Sequence, residues 1–321
     1  MDIFSHALLP YLLGNFFKRN KKEVTSIVLG GIAPDFDVFI MWINFVYPTF
    51  FLIAHRGITH SLFFGFFTCI AVLYLASCGV VKNKVQRYID YEPIFSSRTI
   101  AFAFAGVIIH LFLDYVTTQG VPLLYPLYTT RYAAEVFFYI DIPLTIVSAV
   151  IVIFLFKKPL QKDTTKFLIV FLIVFAGMGA LRIGEKTDAE QFFHNADIKV
   201  YPAMNPFDWY AIAEDRNEIS IFEYNGLSRT LQYSETVSAL SISKGDDPSG
   251  ALFVANELPQ VRMFRWRAYA LAVNASFSNG TWFLEYHDPL RRVMFRDSPA
   301  IFRRINVPLR VTVKAGEAVI S

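Results

Sequence analysis

The sequence has 321 residues, of which 54% are hydrophobic and 18% are charged, and its mean hydropathy is +0.40. Because a soluble domain carries about 25% charged residues, this composition excludes an ordinary soluble protein and indicates a membrane protein. The net charge of +3 comes from charges scattered over the chain. We therefore expect no nucleic acid among the partners.

The hydrophobic residues are distributed unevenly along the chain. Residues 1–184 contain almost all of the long apolar runs, whereas residues 185–321 have ordinary proportions of charged residues, proline and glycine. A chain of this length has room for one membrane domain and one smaller globular domain. We therefore predict a helical membrane domain with a metal site over residues 1–184 and a β-rich soluble domain over residues 185–321.

Six apolar segments in the first domain predict an α-helical polytopic membrane protein with about six spans, some of them short or broken. The second segment is expected to break near its middle, where Gly30, Gly31 and Pro34 interrupt it. The predicted segments are residues 3–17, 24–46, 58–81, 99–117, 137–156 and 165–183.

Clusters of lysine and arginine follow the first, third and fifth predicted spans. They lie at residues 18–22, 82–87 and 157–166, and six crossings place all three on the same side of the membrane. The positive-inside rule makes that side cytoplasmic. We therefore predict a multi-pass protein of the cytoplasmic (inner) membrane, with an extracytoplasmic amino terminus and an extracytoplasmic C-terminal β-rich domain.

Alternation of polar and apolar residues after residue 184 predicts an antiparallel sheet with one solvated face. Turn signals separate the alternating stretches, notably Asn225-Gly226 and Asn279-Gly280. The four clearest predicted strands are residues 218–224, 265–273, 281–286 and 307–313.

The segment from His55 to Leu62 places two histidines and an arginine at the start of the third predicted span. Ionisable groups at the edge of hydrocarbon need partners or water. Further along the chain, His110 and Asp114 are four residues apart, so they face the same side of a predicted helix. A histidine–aspartate hydrogen bond that only ties helices together is the structural alternative for this spacing.

Asp35 and Asp37 follow Pro34 inside an apolar stretch, where an Asp-x-Asp pair is often a turn or a helix cap. Two carboxylates in hydrocarbon repel each other unless a cation joins them. With the nearby histidines they form a mixed nitrogen and oxygen ligand set. Such a set suits a divalent transition metal, zinc (Zn) first, with manganese (Mn) or iron (Fe) as alternatives.

The candidate ligands outnumber those that one tetrahedral site needs, so we expect one or two ions. Two-metal centres favour displacement at phosphorus or acyl hydrolysis. The predicted metal ligands are His6, Asp35, His55, His60, His110 and Asp114.

Two further residues have alternative interpretations. The planar guanidinium of Arg56 matches phosphate oxygens and suits a clamp for an anionic substrate, whereas an interfacial arginine extends to lipid headgroups. Asp141, beside Pro143, is a candidate ligand, a carboxylate that hydrogen-bonds a ligating histidine, or an interfacial residue.

These motifs, in this order, resemble the YdjM-type family of membrane-bound, metal-dependent hydrolases, which are LexA-regulated in some bacteria. The resemblance spans most of residues 1–145. Its matching elements are His6, the segment from Ala33 to Asp37, the segment from His55 to Leu62, and the segment from His110 to Pro126.

The resemblance implies a helical membrane core that holds metal. A more distant likeness to the zinc-dependent phospholipase C and P1 nuclease superfamily implies phosphoester hydrolysis, with Asp35 as a metal-bridging ligand or general base. Asp35, Asp37 and Arg56 are accordingly the predicted catalytic residues. The family ligands correspond to His6, Asp35, His60, His110 and Asp114, while Asp37 and His55 correspond to ligands or to residues that hydrogen-bond ligands.

We therefore expect an integral membrane metal-dependent hydrolase that acts at the outer half of the membrane on a phosphoester or lipid substrate. The substrate is expected to enter laterally from the membrane lipid. The alternative is a membrane scaffold or assembly protein with a structural metal site, whose residues 185–321 bind a protein partner. A metal transporter is disfavoured because the polar residues cluster toward one side of the membrane.

Overall fold

A computed structural model describes residues 3–47, 53–157, 164–194, 198–296 and 307–321 of the chain. The chain divides into two compact units. The first comprises residues 1–42 and 53–183, and the second comprises residues 43–52 and 184–321. The N-terminal half is helical and the C-terminal region is rich in β-strands. These two features of the predicted fold class are confirmed.

Most helices of the N-terminal half are shorter than a full membrane crossing. An α-helix rises about 1.5 Å per residue, so its first two helices, of 14 and 12 residues, are about 21 Å and 18 Å long. The helices are α1 (Ile3–Phe16), α2 (Lys21–Ile32), α3 (Ile43–Val46), α4 (Leu62–Ser77), α5 (Gly79–Val85), α6 (Ser97–Tyr115), α7 (Ile142–Lys157) and α8 (Thr165–Phe193).

Helices α2 and α6 pack with their backbones in direct contact. A Cβ atom added at Gly30 would lie 1.7 Å from the Ala103 carbonyl oxygen, and one at Gly106 would lie 2.0 Å from the Ile27 carbonyl oxygen. Small residues permit this close approach between helices in membranes. The contact brings α6 against the end of α2, where the next turn of chain carries two aspartates.

The predicted break in the second apolar segment is present in the structure. Helix α2 ends at Ile32, and the chain continues as a 3₁₀ helix over Pro34–Phe39. Proline cannot continue an α-helix without losing a hydrogen bond, but it suits the first turn of a new one. A second short 3₁₀ helix, Ile58–His60, precedes α4.

Two described helices, α6 and α8, are each long and apolar enough to cross a bilayer. A third candidate span is the pair α4 and α5, which bends by 75°. Helix α7 is apolar but has 16 residues, fewer than the about 20 that a crossing needs. The described residues therefore contain two or three candidate spans, and the predicted number of six stays a prediction.

The second unit contains two separate sheets. The first is antiparallel, with strands in the order β1 (Ile198–Pro202), β2 (Asp208–Asp215), β3 (Glu218–Asn225) and β4 (Thr230–Ser238). The second has the order β5 (Leu240–Lys244), β6 (Ala272–Ser278), β7 (Thr281–His287), β8 (Leu309–Lys314) and β9 (Glu317–Ile320). Trp209 and Tyr224 lie in the buried core of the first sheet, and Leu284 and Val311 in that of the second.

One predicted strand is wrong. Residues 265–273 were expected to be extended, but the chain is helical over α10 (Pro259–Arg267) and becomes a strand only at Ala272. Strand β5 pairs with β6 in parallel, and parallel neighbours need a crossover connection, usually helical. Helix α10 and the preceding α9 (Ser249–Asn256) make that connection. A short helix, α11 (Pro289–Met294), follows β7.

Candidate metal centre

The first unit brings seven predicted site residues together from separate segments of the chain. One comes from α1, two from the 3₁₀ helix after α2, two from the region between residues 55 and 60, and two from α6. They form three overlapping groups, and within each group the candidate ligand atoms lie within 4.8 Å of one another. The groups are His6, His110 and Asp114; Asp35, His60 and His110; and Asp37, His55 and His60. We call this set the His–Asp cluster; its members are His6, Asp35, Asp37, His55, His60, His110 and Asp114.

Two imidazole nitrogens face each other at the middle of the cluster. His60 Nε2 and His110 Nε2 are 3.2 Å apart. Asp35 Oδ1 lies 3.4 Å from the first nitrogen and 3.6 Å from the second. Asp114 Oδ2 lies 3.4 Å from each of them. Ligand atoms around a tetrahedral zinc ion with bonds of about 2.0–2.1 Å are about 3.3 Å apart, so all five distances suit ligands of one ion.

The hydrogen bonds at the other ring nitrogens determine where the lone pairs lie. His110 Nδ1 donates to the Gly31 carbonyl oxygen at 2.7 Å, and His60 Nδ1 lies 3.3 Å from Asp37 Oδ2. The Gly31 carbonyl oxygen only accepts, so a neutral His110 ring carries its proton on Nδ1 and a lone pair on Nε2. His60 Nδ1 also lies 3.1 Å from the Thr59 hydroxyl oxygen, and binding of a metal through His60 Nε2 requires its proton to be on Nδ1 as well. In that form the two Nε2 lone pairs face each other and repel unless a cation joins them.

Asp37 holds His60 in place. Its Oδ2 also accepts from the Arg56 backbone N–H at 3.1 Å and from the Thr59 hydroxyl at 3.4 Å. A carboxylate behind a histidine fixes the orientation and tautomer of a metal-ligating ring. The family resemblance implies that Asp37 is either a ligand or a residue that hydrogen-bonds a ligand. This geometry favours the second role.

Arg56 is buried and contacts Asp114. Its Nη2 donates to Asp114 Oδ1 at 2.8 Å, and its Nη1 donates to Thr117 Oγ1 at 2.9 Å and to the Thr118 carbonyl oxygen at 3.0 Å. Its backbone has a φ of 61°, a left-handed conformation that is uncommon outside glycine. The two threonines could not be selected from the sequence, because hydroxyl residues after a helix have many ordinary uses.

His6 completes the inner side of the cluster. Its ring stacks on His110 with centroids 3.8 Å apart, and its Nε2 lies 3.4 Å from Asp114 Oδ1. Its buried Nδ1 has no hydrogen-bond partner within the described part of the chain. An unsatisfied nitrogen in a buried site is unfavourable. The other ring nitrogen faces Asp114, so His6 fits a candidate metal-binding set.

His55 and Asp35 form the one side of the cluster that reaches the surface, among the described residues; we call it the open edge. The His55 side chain is 45% exposed and that of Asp35 is 17% exposed, whereas the side chains of His60 and His110 are fully buried. His55 Nδ1 lies 3.2 Å from Asp37 Oδ1 and 3.9 Å from Asp35 Oδ1.

A family comparison covers this whole region. The model of the YdjM inner membrane protein family matches residues 1–183. The chain belongs to the YdjM inner membrane protein family. The resemblance carried by the sequence motifs is thereby confirmed. Searches among curated proteins and among solved structures find no match.

All seven members of the His–Asp cluster lie within the range that matches the YdjM family. Residues 184–321, which include both sheets, lie outside it. Membership of an inner membrane family and the apolar helices together indicate a membrane protein.

The matched YdjM range also contains a second buried charged site, separate from the cluster. Asp141 accepts from Arg182 Nε at 3.1 Å and lies 2.9 Å from Arg182 Nη2, and its other oxygen accepts from the Leu144 N–H at 3.2 Å. The structure thus pairs Asp141 with an arginine instead of a histidine. Arg182 could not be selected from the sequence, because its position in an apolar run does not show which acid it contacts.

Proposed function

We propose that this chain is an integral membrane metal-dependent hydrolase that acts on a phosphoester or lipid substrate at the outer half of the membrane. The observation that carries the proposal is the pair of histidine nitrogens 3.2 Å apart with two carboxylate oxygens 3.4–3.6 Å away. This donor set suits zinc, with manganese or iron as alternatives.

His60, His110 and Asp114 would hold the ion, with Asp35 beside it at the open edge. When bound, a divalent ion polarises a phosphoryl or carbonyl oxygen as a Lewis acid. The chain's own residues prepare the site: Asp37 orients His60, and Arg56 holds Asp114. Asp35 is the cluster carboxylate at the open edge, so it is positioned to accept a proton from water that enters with the substrate.

The open edge supports an enzyme over a purely structural site. Structural metal sites are closed by their ligands, whereas catalytic sites keep an accessible position. Phe36 and Phe39 are exposed on the same 3₁₀ helix that carries Asp35. Apolar side chains beside an accessible carboxylate suit a lipid that approaches from within the bilayer.

The second candidate function is a membrane scaffold or assembly protein with a structural metal site. The observation that favours it is the extent of the family match, which leaves the β-rich residues 184–321 outside. A domain beyond the family core suits the recognition of a protein partner.

The hydrolase and scaffold functions differ in one measurement. Purified protein would be stripped with a chelator, reloaded separately with zinc, manganese or iron, and incubated with phospholipids and lipid-linked phosphates. We expect metal-dependent release of phosphate or headgroup, and none from the matched His60→Ala variant. A folded, metal-loaded protein that hydrolyses none of these substrates would favour the scaffold.

We further propose six membrane crossings, with residues 184–321 on the extracytoplasmic side of the inner membrane. The basic clusters after the first, third and fifth apolar segments support this orientation. Helices shorter than a full crossing then traverse the bilayer together with the 3₁₀ and loop segments beside them, because irregular backbone is tolerated where protein buries it.

Cysteine labelling tests this topology. In a background with Cys69 and Cys78 replaced by alanine, Ser249→Cys should react with an impermeant thiol reagent on spheroplasts. Lys84→Cys should react only after permeabilisation. Labelling of both positions from the same side would refute the proposed orientation.

A further inference from the structure

The charges of the His–Asp cluster do not balance among its described side chains. Asp35, Asp37 and Asp114 are three carboxylates, and among the described residues Arg56 supplies the one guanidinium in contact with this set, through Asp114. Histidines are neutral when they act as metal ligands. Among these side chains two negative charges therefore remain, which one divalent ion would neutralise, whereas two ions would leave a buried excess of positive charge.

The carboxylate of Asp114 divides its contacts between its two oxygens. Oδ2 faces the nitrogens of His60 and His110 at 3.4 Å. Oδ1 faces Arg56 Nη2 at 2.8 Å and His6 Nε2 at 3.4 Å. In a two-metal centre a bridging carboxylate would present one oxygen to each ion. Here the outer oxygen already faces a permanent cation, since arginine stays protonated in proteins.

Hydrogen bonds to neutral groups also hold Arg56 in this position. Two further acceptors, Thr117 Oγ1 and the Thr118 carbonyl oxygen, hold Nη1 at 2.9 and 3.0 Å. The residue also keeps a left-handed backbone with a φ of 61°. Such conformations persist where the surroundings over-determine them, often at functional sites.

We infer that the centre binds a single divalent ion and that the Arg56 guanidinium occupies the position a second ion would take beside Asp114 Oδ1 and His6. This inference rests on the proposed function, because it requires the cluster to bind metal. It assigns Arg56 as a positioning residue that presents Asp114 Oδ2 to the ion.

The metal content of the purified full-length protein tests the inference directly. The protein would be loaded with excess zinc in detergent, desalted and analysed by mass spectrometry of the metal against amino-acid analysis. Ions bound outside the cluster are subtracted with the double variant His60→Ala with Asp114→Ala, which removes a member of each candidate ligand group. One zinc per chain is expected. Two would overturn the single-ion inference and leave the hydrolase proposal standing, whereas none would overturn both.

Two variants of Arg56 separate its charge from its shape. Arg56→Gln removes the cation from Asp114 Oδ1, so it should raise the zinc content toward two per chain. Arg56→Lys keeps the charge and should stay at one. A folded Arg56→Gln protein that still binds one ion, or an Arg56→Lys protein that binds two, would show that the guanidinium does not replace an ion. If Arg56→Gln fails to fold, the wild-type and Arg56→Lys counts still decide the matter.

Discussion

Two of the places where the first unit buries charge differ in their charge balance. The Asp141–Arg182 pair joins one carboxylate to one guanidinium at 2.9 and 3.1 Å, with both side chains fully buried. The His–Asp cluster sets three carboxylates against one guanidinium and adds four histidines. The pair is neutral by itself, whereas the described side chains of the cluster contain more carboxylates than guanidinium groups.

This difference separates a structural contact from a candidate site. Buried charges are tolerated when they are paired and hydrogen-bonded. The Asp141 carboxylate is also satisfied by the Leu144 N–H, so nothing about it calls for a ligand. The cluster instead keeps two facing histidine nitrogens, His60 Nε2 and His110 Nε2, and an unpartnered His6 Nδ1 within the described residues. This arrangement supports the proposal that the cluster binds a cation.

The largest expected difference is between two single variants, one lacking a carboxylate of the His–Asp cluster and one lacking the carboxylate of the Asp141–Arg182 pair. Asp114→Ala deletes an oxygen from the middle of the cluster and should lower zinc affinity by more than about 100-fold, since even a residue behind a ligand is worth about 10–100-fold. Asp141→Ala should leave zinc affinity unchanged. Competition with chelators of graded affinity measures the zinc affinity of both variants. Equal affinities would show that the cluster and the Asp141–Arg182 pair do not differ in metal binding.

The Asp141–Arg182 pair should instead affect the free energy of unfolding. Asp141→Ala leaves Arg182 buried without its carboxylate and should lower the free energy of unfolding by about 3–5 kcal/mol. Replacing both residues, Asp141→Leu with Arg182→Met, should restore most of that loss because no uncompensated charge remains. Denaturation in mixed micelles gives the comparison. A double variant less stable than Asp141→Ala would contradict a self-contained pair.

A smaller effect is expected from the residue that orients His60. Asp37→Asn keeps the shape of the side chain but weakens its interaction with His60 Nδ1, which lies 3.3 Å from Asp37 Oδ2 in the unsubstituted protein. Zinc affinity should fall by about 10–100-fold, as for other carboxylates behind ligating histidines. The exposed Asp90→Asn is a matched control, and a change of the same size there would argue against a role for Asp37 in the centre.

Much of the fold could be predicted from local sequence. The apolar runs and their end at residue 184, the break at Pro34 and the hairpin turn at Asn279-Gly280 depend on composition and on nearby residues. The spacing of His110 and Asp114 likewise determines that they share a helix face. The strand predicted over residues 265–273 failed because the parallel pairing of β5 and β6 is a non-local choice, and its crossover required a helix.

The chain by itself therefore determined which residues are chemically able to form a site, and in which half of the protein they lie. Only the tertiary structure decided their partners. Arg56 meets Asp114 across 58 positions, and Asp141 meets Arg182 across 41. The close packing of α2 and α6 at Gly30 and Gly106 brings His110 and Asp114 beside the aspartates that follow α2. Small residues permit such an approach, but local spacing does not show which distant segments will meet.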